Sequence, residues 1–109
     1  MQKKIDSYFG FARKSGSLVS GAGTCEVLAG KGRLKLLIIT EDTAEGSCRK
    51  MQRLARANNI PYRIYGNSDH LSHVTGMSGR NVFAVTDQGF ADVITKEIDA
   101  EQKYEKEVF

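Results

Sequence analysis

The chain has 109 residues, enough for about one globular domain and too few for a second hydrophobic core beside the first. Hydrophobic residues make up 40% and charged residues 27%, which is ordinary for a globular protein and excludes a disordered one. No apolar run approaches the roughly 20 residues of a membrane span, and none follows the charged N-terminus as in a signal peptide. Cys25 and Cys48 form neither a disulfide framework nor a metal-knuckle pattern, so we expect reduced thiols in a cytoplasmic protein.

The net charge of +3 hides an asymmetry along the chain. Residues 1–80 carry 13 Lys and Arg against 6 Asp and Glu, whereas residues 81–109 carry 3 Lys against 7 Asp and Glu. A basic body with an acidic tail indicates one electropositive face, which is typical of a protein that binds polyanions. The alternative is a solvated surface closed by an acidic helix.

Hydrophobic periodicity predicts helices and short strands in alternation. The elements are a helix with Ile5, Tyr8, Phe9 and Ala12 on one face that ends at Ser15-Gly16, a strand at Leu18-Val19, a helix from Gly21 to Ala29, a strand from Leu34 to Thr40, a helix over 44–58, a strand from Tyr62 to Tyr65, a helix from Ser68 to Thr75, a strand from Val82 to Val85 and a last helix from about Thr86-Asp87. The strand from Leu34 to Thr40 is almost continuously aliphatic, as expected of a central strand covered on both faces. This order predicts an α/β fold, a three-layer α/β/α sandwich with a four-stranded mixed sheet.

Two glycine-rich segments resemble nucleotide-binding motifs but lack required residues. Gly21-Ala22-Gly23 follows a strand and opens a helix, yet Glu26 stands where a dinucleotide fingerprint has its third glycine. Gly30-Lys31 is similar to the end of a P-loop, but Cys25 occupies the position of the leading glycine and Gly32 that of the Mg-binding Ser or Thr. What remains is a glycine-rich helix N-terminus whose free N–H groups suit an anionic or polar ligand.

The candidates for catalysis or metal binding are weak. His70 and His73 are three residues apart on a predicted helix, but only Asp69 offers a further ligand, so we expect exposed histidines. Cys25 could act as a nucleophile with one of the histidines as its base. It shares an apolar helix face with Leu28, however, which favours a packed thiol. Glu41-Asp42 ends the central strand, where open α/β sheets place ligands, and we expect Asp42 to cap the next helix.

The basic residues form a more coherent pattern. Arg13 and Lys14 close the first helix, and Lys31, Arg33 and Lys35 crowd the turn before the central strand. The turn-rich loop from Gly76 to Asn81 carries Met77 and Arg80 and could present them to an unstacked base while its N–H groups meet phosphate. The alternative is that this loop is an exposed turn whose polar residues only contribute to solubility.

Four segments in order along the chain resemble a known family. They are FARKSGSLVSG (residues 11–21), KLLIITED (35–42), NIPY (59–62) and NVFAVTDQGFA (81–91). The chain resembles the L-seven-Ae / L-thirty-e family of kink-turn-binding ribosomal proteins, and within it the small bacterial YlxQ type. This resemblance implies a non-enzymatic RNA binder with the α/β/α sandwich, in which RNA meets the N-terminus of the second helix and the loop before the last strand.

The family's RNA motif, G-T-N-E-x-T-K, is only partly present. An ungapped alignment on residues 35–42 places the motif's glycine at Gly21. In that alignment Gly23 replaces the asparagine, Thr24 replaces the guanine-reading glutamate, and Val27 replaces the lysine. A two-residue shift gives Gly23-Thr24-Cys25-Glu26 but requires a gap, so we adopt the ungapped alignment. The resemblance therefore implies the family's fold but not its detailed kink-turn readout.

Together these features predict a non-catalytic, cytoplasmic RNA-binding protein, without cofactor or metal, that recognises structured RNA. One domain would span residues 1–109, with an acidic C-terminal helix from about residue 87. The RNA would be ribosomal, a kink-turn or a variant, with the ribosome or RNA-processing proteins as further partners and no membrane. The alternative is a protein-interaction module on the same fold that uses the basic third helix or the acidic tail. The residues predicted to contact RNA are Lys14, Ser20, Gly21, Gly23, Thr24, Lys31, Arg33, Met77, Gly79 and Arg80.

Overall fold

The computed structural model describes the backbone of residues 3–107 and the side chains of residues 3–103. Helices and strands alternate along the chain as the periodicity predicts, with boundaries that differ by one or two residues. The elements are α1 (Lys4–Lys14), β1 (Leu18–Ser20), α2 (Ala22–Gly30), β2 (Leu36–Ile39), α3 (Glu45–Ala57), β3 (Tyr62–Ile64), α4 (Ser68–Thr75), β4 (Val82–Val85) and α5 (Gln88–Glu107). No helix within residues 3–107 is long and apolar enough to cross a membrane.

The strands form one mixed sheet in the order β1-β4-β2-β3. β4 is antiparallel to both β1 and β2, whereas β2 and β3 are parallel. β2 therefore lies inside the sheet, and all four of its residues are buried, which confirms the central strand. Because side chains alternate across a strand, Leu36 and Ile38 enter one core and Leu37 and Ile39 the other.

Helices cover both faces of the sheet, so the predicted three-layer sandwich is confirmed. α1, α4 and α5 pack on one face, where Phe9, Leu71 and Ile94 are fully buried. α2 and α3 pack on the other face, through residues that include Ala29 and Met51. The two cores are separate because the alternating side chains of β2 and β4 point to opposite layers.

Asp42 caps a different helix from the one that the sequence indicates. Its carboxylate accepts the N–H of Ser68 at 3.0 Å, at the first residue of α4. The helix that follows Asp42, α3, has Ala44 before its first residue and no side-chain cap. Because β2 and β3 are parallel neighbours, the segments that follow them leave the same end of the sheet, which brings Asp42 close to Ser68. Hydrogen bonds from the Thr40 hydroxyl and then from the Ser68 N–H lower the pKa of the Asp42 carboxyl.

The acidic helix α5 directs several carboxylates at the basic body of the protein. Asp99 accepts two hydrogen bonds from the guanidinium of Arg63, at 2.7 and 3.0 Å, and they lower its pKa. Two further pairs join α5 to the start of the chain: Lys4–Glu97 at 3.5 Å and Lys3–Glu101 at 3.0 Å. Ion pairs thus attach α5 to β3 and to the N-terminal residues.

Candidate nucleic-acid interface

Three segments meet at one end of the sheet around a cleft of about 180 Å³: the start of α2, the start of α3 and the loop before β4. The Gly21 N–H donates to the Val82 carbonyl at 2.9 Å, which fixes the start of α2 beside β4. The Thr40 N–H donates to the Asn81 carbonyl at 2.9 Å and ties the loop to the end of β2. The residues that line this cleft, called the α2 cleft below, are Gly21, Ala22, Thr43, Ser47, Gly79, Arg80, Asn81 and Val82.

Gly21 is required for the geometry of the cleft in two ways. Its φ of +94° lies in a region that side-chain-bearing residues rarely adopt. A Cβ atom at this position would also lie 3.1 Å from Nη1 of Arg80. The guanidinium therefore reaches the N-terminus of α2 because residue 21 has no side chain.

Both helices at the cleft begin without a side-chain cap. Gly21 precedes α2 and Ala44 precedes α3, and neither has a side chain that could accept a hydrogen bond from the first N–H groups of its helix. The first N–H groups of a helix have no partner within the helix, so these remain available to a ligand and carry partial positive charge. With the Arg80 guanidinium nearby, the arrangement suits a phosphate or another anionic oxygen.

Two carboxylates on these helices are already paired with cations. Glu26 on α2 lies 3.1 Å from the ammonium of Lys50 on α3. Glu45, in the first turn of α3, pairs with Arg49 one turn later. Both pairs are exposed and individually weak, but they reduce the repulsion that an approaching phosphate would meet.

Two serines of α4 hold the loop that carries Arg80. The Ser68 hydroxyl donates to the Arg80 carbonyl at 2.7 Å, and the Arg80 N–H donates to the Ser72 hydroxyl at 3.4 Å. Sequence reasoning did not find these serines, nor Thr43 and Ser47, because they enter the site from elements distant in the chain. The only sign of their role in the sequence was that small hydroxyl residues (Thr43, Ser47 and Ser68) stand at the starts of two predicted helices.

The structure places nine of the ten predicted RNA-contacting residues in two groups, and Met77 in neither. The first group lies at the cleft end of the sheet and consists of Ser20, Gly21, Gly23, Thr24, Gly79 and Arg80. The second group, at the opposite end of the sheet, consists of Lys14, Lys31 and Arg33. β1 runs from that end to Gly21, and α2 then runs from Gly21 back to the same end. The nine residues of α2 correspond to a length of about 13 Å between the two groups.

Met77 is not part of the α2 cleft. Its half-buried side chain packs against the core under α1, α4 and α5, and its N–H donates to the hydroxyl of Thr75 at 3.2 Å. Arg80 instead extends toward Gly21. The structure therefore does not bring Met77 and Arg80 together in the cleft.

Cys25 is a packed thiol, as the apolar phase of α2 predicts. It is fully buried between α2, α3 and the sheet. Burial, and then the nearby charge of Glu26, raise the pKa of the thiol to about 11. Because only a thiolate is a good nucleophile, this group is unreactive near neutral pH.

His70 and His73 are exposed on α4, in the layer opposite Cys25. Nε2 of His70 lies 3.0 Å from both carboxylate oxygens of Asp6, a residue of α1 that is only 4% exposed. The sequence pattern did not reveal this link between α1 and α4, because 64 positions separate its members. Among the side chains that the structure describes, no three of the types His, Cys, Asp and Glu form a group that could hold a metal ion.

Replacing Cys25 by Ser should lower the free energy of unfolding by about 1–3 kcal/mol, because it puts a polar hydroxyl into a fully buried apolar cluster. Urea denaturation measures this change. Cys48→Ser is the matched control, since its half-buried sulfur accepts a hydrogen bond from Gln52 at 3.2 Å that a hydroxyl can also accept. An unchanged stability of Cys25→Ser would contradict the packing described above.

The fold is shared with solved structures of similar length. A structure from Bacillus halodurans C, described as a protein with unknown function, superposes with a TM-score of 0.86 at 26% identity and covers 90% of this chain and 99% of its own. The Giardia lamblia 15.5kD RNA binding protein has a TM-score of 0.72 at 14% identity, with 92% of both chains covered. At that identity the second likeness concerns the fold alone.

Sequence comparison identifies the family. The chain is 30% identical over 90 residues to the RNA-binding protein YlxQ of Bacillus subtilis (strain 168), which covers 83% of this chain and 90% of the relative. A model of the ribosomal protein L7Ae/L30e/S12e/Gadd45 family matches residues 3–95. Since this match spans all four strands and the start of α5, the chain belongs to the ribosomal protein L7Ae/L30e/S12e/Gadd45 family.

Proposed function

We propose that this chain is a non-catalytic, cytoplasmic protein that binds structured RNA, a kink-turn or a variant of it in ribosomal RNA, through the α2 cleft. The whole chain from residue 1 to 109 would be one RNA-binding domain. The observation that carries the proposal is the convergence of the uncapped start of α2 with Arg80, in a member of a family that includes an RNA-binding relative.

The chemistry of the α2 cleft fits a folded nucleic acid. Backbone N–H groups at a helix N-terminus and a guanidinium are common partners of phosphate oxygens. Gly23 and Thr24 are exposed in the first turn of α2 and would let the backbone and one hydroxyl approach base edges closely. Bases in a bend or bulge are accessible for such contacts, whereas those in a regular A-form helix are hidden in a deep groove.

A protein-interaction module remains the second candidate, and one observation favours it. Phe11 is 55% exposed and lines an apolar groove with Tyr8 and Phe90 between α1 and α5. The surfaces that the sequence indicated for this role are less suitable, because the α5 carboxylates described above and Arg49 and Lys50 of α3 are engaged in ion pairs. Capture of partners from a cell extract, with and without nuclease, separates the two candidates: nuclease should abolish capture through RNA.

RNA binding should depend strongly on salt. If about four phosphates are neutralised, the logarithm of affinity should fall with the logarithm of salt concentration with a slope near −3 to −4, roughly 100-fold between 50 and 200 mM. Fluorescence anisotropy with a labelled kink-turn RNA measures this slope. Binding that does not respond to salt would contradict a phosphate contact.

Arg80→Glu should weaken this binding at every salt concentration and make the slope less negative by about 1–2. Lys96→Glu is the control for net charge, because Lys96 is exposed on α5, across the sheet from the α2 cleft. Equal losses in both variants would assign the effect to overall charge and would argue against the cleft.

A further inference from the structure

Five cationic side chains lie at the end of the sheet opposite the α2 cleft. Arg13 and Lys14 are in the last turn of α1, Lys31 follows α2, and Arg33 and Lys35 are in the turn before β2. All five are exposed. None forms an ion pair with another side chain of residues 3–103. These five residues are called the basic end below.

The sheet brings the basic end together from segments that are distant in the chain. The Lys35 N–H donates to the Val85 carbonyl at 2.8 Å, and Val85 pairs with Leu18, which follows the turn after α1. Two strand spacings of about 4.8 Å therefore separate Lys35 from the chain that leaves α1. The Arg33 N–H donates to the Leu28 carbonyl at 3.0 Å and holds that residue against the end of α2.

The charge of the basic end is compensated only weakly. The C-terminal ends of α1 and α2 carry partial negative charge, which stabilises Arg13, Lys14 and Lys31 in place. The carboxylate of Asp87, at the start of α5, also lies at this end of the sheet and accepts the N–H of Phe90 at 2.8 Å. An excess of positive charge therefore faces solvent at a surface that has no role in the α2 cleft.

The two surfaces are too far apart to hold the same phosphate. The length of α2, about 13 Å, separates them. This exceeds the Debye length of about 8 Å at physiological ionic strength, so each surface acts on its own neighbourhood. A nucleic acid that reaches both surfaces must therefore contact them with different phosphates.

We propose that the basic end is a second RNA-backbone contact that binds a different segment of the RNA from the one in the α2 cleft, so that the protein bridges two parts of a folded RNA. The inference rests on the proposed function, because it assumes the same class of ligand. Lysine and arginine contacts to phosphates carry no sequence information, so this second contact accepts any duplex segment.

The test measures affinity for two labelled RNAs: a short kink-turn hairpin and a plain duplex of about 20 base pairs without a kink-turn. The basic-end variant is Lys14→Gln with Arg33→Gln, and the cleft variant is Arg80→Gln. The charge-matched control is Lys4→Gln with Lys96→Gln, which removes two exposed cations, one from the first residue of α1 and one from α5, that belong to neither the α2 cleft nor the basic end. Circular dichroism checks that every variant is folded.

The basic-end variant should lose roughly tenfold in affinity for the plain duplex at low salt, with a salt slope less negative by about 2. It should bind the short hairpin within about twofold of the unmodified chain, whereas Arg80→Gln should show the reverse pattern. The control should match the unmodified chain with both RNAs within about twofold.

Other outcomes would overturn the inference in distinguishable ways. Equal losses of the basic-end variant on both RNAs would mean that the basic end and the cleft hold one segment. An unchanged affinity for the duplex, with Arg80→Gln still impaired on the hairpin, would remove the basic end and leave the proposed function intact. Failure of the unmodified chain to bind either RNA would reject both. Binding of a polyglutamate peptide as tightly as the duplex would assign the basic end to an acidic protein partner instead.

Discussion

Replacing Gly23 by Asn, Thr24 by Glu and Val27 by Lys together should raise the affinity for a standard kink-turn by about one to three orders of magnitude. The sheared G·A pairs of a kink-turn present guanine N–H donors, which a carboxylate accepts better than the neutral hydroxyl of Thr24. Hydrogen bonds to a charged partner are roughly twice as strong as neutral ones. For the same reason we expect the unmodified chain to bind a standard kink-turn about 2–4 kcal/mol more weakly than relatives with the full motif.

The structure offers room for all three substitutions. A Cβ atom at Gly23 would meet nothing within 4 Å, and Val27 is 57% exposed, so neither replacement disturbs the core. Position 24 lies in the first turn of α2, where a negative side chain interacts favourably with the helix dipole. The three changes leave the net charge unaltered, so a gain in affinity would not come from overall charge.

Anisotropy titrations with a standard kink-turn measure the gain. The matched RNA has Watson–Crick pairs in place of the sheared G·A pairs, and its affinity should not change. Nanomolar binding of the kink-turn by the unmodified chain would show that the alignment of the motif, or the account of its readout, is mistaken. A triple variant that gains equally on both RNAs would point to non-specific contacts.

Phe9→Ala should lower the free energy of unfolding by about 3–5 kcal/mol, the largest stability effect that we expect for one substitution. The Phe9 side chain has no exposed surface, and its ring stacks on Tyr65 with centroids 6.4 Å apart. Truncation leaves a cavity between α1 and the sheet that rigid strands cannot close. Such a loss is a large part of the 5–15 kcal/mol that ordinarily stabilises a domain.

Phe11→Ala is the control for this prediction, because Phe11 lies two residues further on the same helix and is 55% exposed. Its truncation should change stability by no more than about 0.5 kcal/mol. Urea denaturation of both variants, with the m-value checked for two-state unfolding, makes the comparison. Similar losses in the two variants would contradict the orientation of α1.

The periodicity of the sequence was sufficient to predict the layers of the fold. A helix buries one side at intervals of three and four residues, and a strand alternates, so the core positions Ile5, Phe9 and Ile94 could be read locally. Glycine at positions 16 and 76, with φ of +77° and +71°, marked helix ends in the same way. Boundaries were less exact, since the strand predicted from Leu34 begins at Leu36.

The candidate site was predicted only in part. Local patterns indicated the start of α2 and the loop with Arg80, because glycines and turn residues mark such segments. Beyond the hydroxyl residues at the start of a predicted helix, they did not indicate that Thr43 and Ser47 complete the cleft, nor that Met77 packs into a core. These outcomes depend on which elements become neighbours in the sheet.

The amino-acid sequence by itself determined the order of the elements, the buried central strand, the packed thiol of Cys25 and the family, because each depends on residues close together in the chain. Only the tertiary structure decided that Asp42 caps α4, that Asp6 meets His70 and that the cations divide between two ends of the sheet. The order and directions of the strands β1-β4-β2-β3 produce the first and the third, and the packing of α1 and α4 on the same face of the sheet produces the second. Local propensity contains no information on such pairings, which arise when both faces of one sheet are buried together.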